Sequence, residues 1–193
     1  MIRVMQRTLA LLAALLLPTA LGAADTPKSI ATDQSTLTVR VFKSGLFSAF
    51  GHEHEITAPI QQGSFTEQNP SVELRVDSRT LRVMDKDVSD KDRAEIQQTM
   101  LGPKVLDSEH FPEIRFRSTA VTPAADAKWV VQGDLAIHGT TRPVKFEVTL
   151  LNGHYRGTAE IKQKDFGITP VTVGGGAVKV KNELRVEFDI VGQ

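Results

Sequence analysis

The histidines offer the clearest candidate chemistry in this chain, and two of them lie in the segment 50–55, whose sequence is FGHEHE. Alternate residues of an extended chain point to the same side, so His52 and His54 are spaced to share a metal ion. Such a site needs further ligands, which His110, His138 or a carboxylate would have to supply. Because His-x-His alone is a weak pattern, we favour the other interpretation, a polar and pH-sensitive cluster at the mouth of a barrel. We therefore predict no metal site.

Patterns for catalysis and cofactor binding are weak in the rest of the chain. There is no cysteine, which excludes thiol chemistry, thiolate metal sites and disulfides. Neither a Gly-x-Ser-x-Gly elbow nor a phosphate-binding glycine loop occurs. The segment 85–90 (DKDVSD) lacks the central glycine and the terminal glutamate of a calcium loop. Basic and acidic residues balance, 23 against 23, so no basic surface for nucleic acid is expected. We predict a non-enzymatic protein that holds no cofactor and binds no nucleic acid.

The elements that must position any site are mainly β-strands. Apolar and polar residues, most of the latter charged, alternate in segments such as 72–77, 145–150 and 183–190, and about eight segments show this period of two. Alternation places one face of each strand in water and the other against an apolar interior. Asn152-Gly153 predicts a tight hairpin turn, and the segment 141–143 (TRP) is interpreted as another turn.

One helix is expected, at about residues 89–101. Ser89 is suited to cap its N-terminus, acidic residues follow in the first turn, and Gly102-Pro103 ends it. A single helix cannot cover both faces of a large sheet, so the sheet must close on itself or fold face to face. We predict an all-β fold, an eight-stranded antiparallel β-barrel with this one helix.

The inward face of this barrel is apolar, and two interpretations of it remain open. On composition alone, these side chains form a filled core. The alternative is a cavity large enough for one small apolar ligand. Alternation assigns the following residues to the inward face: Val39, Val41, Leu74, Val76, Ile114, Phe116, Leu135, Ile137, Phe146, Val148, Ile161, Val186 and Phe188.

The first 24 residues have the pattern of a secretory signal peptide. Arg3 and Arg7 precede an apolar run of nine residues, 9–17, and the small residues before Asp25 offer a cleavage site. A run of nine is too short to span a bilayer, which needs about 20 residues, so no stable transmembrane anchor is expected. We predict a signal peptide over 1–24, a mature domain over 25–193 and, in a Gram-negative host, a periplasmic location.

Several stretches of the mature chain resemble one family of secreted bacterial proteins. The segments that carry the resemblance follow one another in order: 35–41 (STLTVRV), 105–119 (VLDSEHFPEIRFRST), 133–144 (GDLAIHGTTRPV), 164–168 (KDFGI) and 183–190 (ELRVEFDI). Together they resemble the YceI-like family of lipid-binding proteins. The resemblance implies a lipocalin-like barrel whose elongated apolar tunnel holds an isoprenoid chain, as in a polyprenyl phosphate or a prenylated quinone.

With this resemblance, we expect a non-enzymatic periplasmic protein that binds an isoprenoid or other long-chain lipid in its barrel. A periplasmic metal-binding protein that uses His52 and His54 is the alternative, and an enzyme with a small apolar substrate ranks third. His52, His54 or Arg142 would meet the polar or anionic head of the lipid. The expected tunnel residues are Val41, Phe47, Phe50, Leu74, Val76, Ile114, Phe116, Leu135, Ile137, Phe146, Val148, Ile161, Phe166, Val186 and Phe188.

Overall fold

The protein folds as an antiparallel β-structure with one α-helix. A computed structural model describes residues 25–44, 53–173, 175 and 178–193. The all-β prediction is confirmed, but the expected eight strands are too few, because the described residues form twelve. The strands are β1 (Lys28–Ser29), β2 (Thr36–Ser44), β3 (His54–Thr57), β4 (Ile60–Thr66), β5 (Ser71–Asp77), β6 (Arg82–Val83), β7 (Glu113–Ala125), β8 (Lys128–Ile137), β9 (Thr140–Leu151), β10 (His154–Lys162), β11 (Thr172–Val173) and β12 (Val178–Val191).

Eleven of the strands form a continuous path that curls into a half-barrel. Its order is β1-β4-β5-β7-β8-β9-β10-β12-β2-β3-β6, and β11 pairs with β12 beside this path. The seven strands β2, β5, β7, β8, β9, β10 and β12 correspond to the alternating segments. The prediction missed mainly strands of two to four residues, β1, β3, β6 and β11, which are too short to show a period of two.

The segment 28–31 spans the gap between β4 and the end of β12. On one side the Ile30 amide donates to the Gly63 carbonyl at 2.9 Å, and on the other the Ala31 amide donates to the Val191 carbonyl at 2.8 Å. Ile30 and Ala31 are almost fully buried. These contacts connect two strands that do not pair directly.

Apolar residues of the α-helix and of a short 3-10 helix pack together at one end of the half-barrel. Helix α1 (Asp90–Leu101) buries Met100 against β2, β3, β5 and β6. A 3-10 helix (Gln163–Phe166) buries Phe166 in a second cluster with Ile137 and Ile161. These two clusters fill that end of the half-barrel, which we call the closed end.

Local signals predicted the helix and one hairpin correctly. The Ser89 side chain accepts a hydrogen bond from the Asp92 amide, and α1 begins at the next residue after Ser89 and ends before Gly102. Asn152 and Gly153 both have positive φ, 52° and 81°, as the hairpin turn requires. The turn expected at 141–143 is wrong: the chain turns at His138 and Gly139, and 141–143 belong to β9.

Three parts of the sequence-based interpretation lie outside the described residues: the leader 1–24, the tunnel residues Phe47 and Phe50, and His52. Within the part of the chain that the structure describes, α1 is the one α-helix, and no helix has the length and apolarity needed to cross a bilayer.

Candidate functional site

The half-barrel encloses an apolar cavity of about 290 Å³. Twenty-eight residues line it, and all but four are apolar. The four are Thr66, Glu67, Ser71 and Tyr155, which come from the end of β4, the loop after it, and the starts of β5 and β10. We call this end of the cavity the mouth, because Glu67 there is exposed to solvent.

Alternation places most of the expected tunnel residues on the cavity wall. The antiparallel register sets them in rows across neighbouring strands: Leu74 faces Phe116, and Phe116 faces Leu135. Inward residues of one strand therefore lie beside inward residues of the next strand. The expected residues that line the cavity are Leu74, Val76, Ile114, Phe116, Leu135, Ile137, Phe146, Val148, Ile161, Val186 and Phe188.

Val41 and Phe166 lie outside the cavity lining. Val41 is buried towards the closed end, in the cluster with Ile56, Val83 and Met100. Phe166 is only 2% exposed, and it packs in the cluster that fills the closed end. Both side chains support the end of the half-barrel, where they do not reach the cavity.

Sequence reasoning did not assign the remaining lining residues to a binding site. Trp129 and Val131 follow the alternation of β8 and could have been found from it, and Val39 was assigned to the inward face but not to the tunnel. Val121 lies beyond a β-bulge between Ser118 and Ala120, which shifts the alternation of β7. Thr66, Glu67, Pro70 and Ser71 have no periodic signal, because they lie in or beside the turn between β4 and β5. The remaining lining residues are Leu37, Val39, Ala58, Phe65, Thr66, Glu67, Pro70, Ser71, Val72, Leu81, Val121, Trp129, Val131, Val144, Tyr155, Ala159 and Ile190.

Three phenylalanine rings cross the middle of the cavity wall. The ring centroid of Phe146 is 5.4 Å from that of Phe116 and 5.4 Å from that of Phe188. The outer two rings lie over glycines: a Cβ added at Gly133 or at Gly157 would come within 3.0 Å of the ring of Phe116 or Phe188, respectively. The glycines therefore let these two rings approach the backbone of the neighbouring strand, at positions where any side chain would collide with them.

Three aromatic side chains surround the mouth. The Tyr155 ring packs edge-on against Phe65, with 5.0 Å between centroids, and lies 6.1 Å from Trp129. The Tyr155 hydroxyl donates to Glu67 Oε1 at 2.9 Å, and Lys28 Nζ donates to Glu67 Oε2 at 2.7 Å. The lysine and tyrosine hydrogen bonds lower the pKa of Glu67. Burial, together with the Glu67 carboxylate, raises the pKa of Tyr155 to about 12. The mouth thus carries a carboxylate and a phenol that keeps its proton.

The structure does not bring His54 or Arg142, two of the expected head-group residues, to this mouth, and the third, His52, lies outside the described residues. His54 Nδ1 lies 2.6 Å from Asp85 Oδ2, and the Asp85 side chain is only 3% exposed. Asp85 also accepts the Glu55 amide at 2.8 Å, so His54 has a structural partner beside β3. Arg142 is exposed on β9, and its guanidinium donates to the Thr141 carbonyl.

The other candidate metal ligands have different partners. His110 Nδ1 lies 2.9 Å from Asp107 Oδ1, and the His138 ring packs against Phe111 with 4.7 Å between centroids. Among the described residues, no group of three or more histidines, aspartates or glutamates is arranged to hold a metal ion. His52, the first member of the His-x-His pair, is not among the described residues.

Sequence and fold comparisons agree with this architecture. A family model described as the YceI-like domain matches residues 29–192. The chain belongs to the YceI-like family. A UPF0312 protein of Shewanella denitrificans is 26% identical over 185 residues, which are 91% of this chain and 92% of the relative. A UPF0312 protein of Pseudomonas putida is 32% identical over 111 residues, 52% of this chain and 55% of the relative.

Solved structures show the same YceI-like fold. BcnA of Burkholderia cenocepacia superposes with a TM-score of 0.60 at 20% identity, covering 83% of this chain and 98% of BcnA. The YceI protein of Campylobacter jejuni superposes with a TM-score of 0.51 at 10% identity, covering 72% of this chain and 81% of that protein. The resemblance noted in the sequence is confirmed at the level of family and fold.

Proposed function

We propose that this YceI-like protein is a non-enzymatic binding protein that holds an isoprenoid-type lipid in its cavity. The observation that carries the proposal is the distribution of polarity in the lining: four polar residues at the mouth and apolar residues everywhere else. An amphiphile matches this distribution when its chain points to the closed end and its head lies at the mouth. A hydrocarbon chain needs no hydrogen-bond partner, so the apolar wall meets all its requirements.

The cavity volume sets the length of chain that fits without rearrangement. Ligand cavities commonly measure about 300–1,000 Å³, and a dry cavity of about 150 Å³ accepts a benzene molecule with its six carbons. In proportion, 290 Å³ accommodates about twelve carbons, or two to three isoprene units. Burial of ten methylenes at about 0.8 kcal/mol each stabilises the complex by about 8 kcal/mol before the entropy of association is subtracted.

We also propose that the protein acts in the periplasm. The pattern in residues 1–24 supports export and a periplasmic location. A lipid with a long chain has very low solubility in an aqueous compartment, so a protein that encloses the chain would keep it dispersed there.

Native mass spectrometry of protein purified from its own host tests the proposal directly. We expect a bound mass that is lost on denaturation and that corresponds to a lipid. Extraction of this lipid should lower the melting temperature, and addition of farnesol should restore it, because a ligand that binds only the folded state stabilises that state. A bound metal mass would favour the metal-binding alternative. A delipidated protein with unchanged melting temperature and no lipid uptake would contradict lipid binding.

Two adjacent substitutions on β9 provide a matched test of the cavity wall. Phe146 points into the cavity, whereas Lys145 is exposed on the other face of the same strand. Phe146→Glu should abolish farnesol uptake, because an unpaired carboxylate against a hydrocarbon chain is strongly disfavoured. Lys145→Glu introduces the same charge on the solvent side and should leave uptake intact. Equal loss in both variants would show that the cavity is not the binding site.

A further inference from the structure

The mouth determines which lipid heads the cavity can accept. This inference rests on the proposed function, because it assumes that a chain occupies the apolar interior. All four polar lining residues lie at the mouth, so a polar head has no other place in the lining where it can form hydrogen bonds. The arrangement of donors and acceptors there is therefore the basis of selectivity.

Each hydroxyl hydrogen at the mouth already has an acceptor in the protein. Tyr155 donates to Glu67 Oε1 at 2.9 Å, and Thr66 donates to the Asn69 carbonyl at 2.5 Å. Since the single hydroxyl hydrogen of Thr66 is committed, Ser71 is the donor in the 2.8 Å contact between their hydroxyl oxygens. No hydroxyl of the lining retains a free hydrogen.

Acceptor capacity remains at the same place. The Glu67 carboxylate has about four lone-pair sites, and Lys28 and Tyr155 occupy two of them. The Tyr155 oxygen can also accept while it donates. A head group that brings its own hydrogen can therefore bind to Glu67 without breaking an existing contact, whereas a head that only accepts finds no free hydroxyl hydrogen and has the Trp129 indole N–H as its one side-chain donor in the lining.

The charge at the mouth also favours an uncharged head over an anionic one. Glu67 is the one ionised side chain among the lining residues, and Lys28, its neighbour on the solvent side, is not part of the lining. The Lys28 ammonium is half exposed and is held 2.7 Å from Glu67 Oε2. A phosphate could bind the remaining ammonium hydrogens of Lys28, but it would then lie beside the Glu67 carboxylate, and one ammonium would compensate two anions. Near the mouth, Asp25 accepts the Asn69 amide, and Asp189 is paired with His154 and Arg156.

We propose that Glu67 is a specificity-determining residue that selects an uncharged, hydrogen-bond-donating head, such as an alcohol, over the phosphate of the same chain. This assignment replaces the expected pairing of an anionic head with His52, His54 or Arg142. The expected preference for the alcohol is about tenfold or more, because like charges a few ångströms apart near a protein surface repel and Lys28 offsets only part of that repulsion.

Farnesol and farnesyl monophosphate, which share one chain, separate the contribution of the head from that of the tail. Trp129 lines the mouth and is the single tryptophan of the chain, so its fluorescence reports binding of either lipid. We expect the delipidated wild-type protein to bind farnesol at least tenfold more tightly than farnesyl monophosphate. Glu67→Gln removes the charge but keeps a carbonyl acceptor, so it should strengthen phosphate binding and narrow the preference several-fold.

Glu160→Gln serves as the matched control, because Glu160 is exposed on β10 and does not line the cavity. This substitution should leave the ratio of the affinities for farnesol and farnesyl monophosphate unchanged. Equal or tighter binding of the phosphate by the wild type would overturn the role of Glu67, and so would a ratio that Glu67→Gln does not change. If neither lipid binds, the proposed function itself fails, which is a distinct outcome from loss of selectivity.

Discussion

Replacement of Ala159 by leucine distinguishes an open cavity from a filled core. Ala159 lies on β10, opposite Val186, and its side chain lines the cavity. Leucine adds three carbon atoms at this position. If the space in front of Ala159 is empty, burying these carbons stabilises the ligand-free protein by up to about 2.4 kcal/mol, at about 0.8 kcal/mol for each.

The same three carbons compete with the lipid chain. A tail that loses room for three methylenes loses about 2.4 kcal/mol of binding free energy, which corresponds to an affinity about 50-fold lower. The substitution therefore has opposite effects on the two measurable quantities. It raises the free energy of unfolding of the empty protein and weakens its binding of farnesol.

If the interior is a filled core, Ala159→Leu lowers the free energy of unfolding instead of raising it. Extra methylenes in a close-packed interior displace neighbouring side chains and lower the free energy of unfolding by about 1–3 kcal/mol. Urea denaturation of the delipidated proteins measures the free energy of unfolding, and Trp129 fluorescence measures farnesol binding. Thr158→Leu is the control, because Thr158 is exposed on the outer face of β10 and surface changes of this kind shift stability by about 0.5 kcal/mol or less. A destabilised Ala159→Leu with unchanged farnesol affinity would refute the cavity.

Two further predictions concern the wall and the turn before β7. Gly157→Ala should lower the free energy of unfolding by about 1–3 kcal/mol, measured by urea denaturation, because its Cβ would collide with the Glu147 carbonyl oxygen and the Phe188 ring. A neutral effect would show that Phe188 does not need Gly157. His110 should titrate above 6.5 by NMR, since Asp107 raises its pKa through a hydrogen bond. This ion pair stabilises the fold below about pH 6.5, and the contribution is lost as pH rises through the raised pKa. Asp107→Asn should return the pKa towards 6.5, and an unchanged value would contradict this pairing.

Local patterns were sufficient for the elements whose cause is local. The alternation in 145–150 assigns each side chain of that part of β9 to one face, because successive residues of a strand point to opposite sides. Ser89 caps α1 through the amide of Asp92, three residues away. Asn152 and Gly153 form the turn between β9 and β10 because both adopt positive φ with little strain. Each of these outcomes depends on neighbours in the sequence.

The strand count depended on contacts between distant parts of the chain. Lys28 pairs with Phe65, and Ile30 forms a bridge to Gly192 near the other end of the chain. A two-residue strand such as β1 or β6 has no periodic pattern of its own, and it forms only because a longer strand presents unpaired backbone groups beside it. For this reason the sequence predicted about eight strands and the folded chain has more.

The sequence by itself determined which side chains face the interior, and tertiary structure decided what lies there and at its mouth. Alternation assigned Phe116 and Phe188 inward, but it contained no information on whether they fill the interior. That depends on Gly133 on β8 and Gly157 on β10, which lie on the strands next to those of Phe116 and Phe188 and leave room for the two rings against the backbone. The polar mouth joins Lys28, Glu67 and Tyr155, which are 39 and 88 residues apart in sequence. No local pattern connects such residues, because only the curvature and register of the sheet bring their side chains within hydrogen-bonding distance.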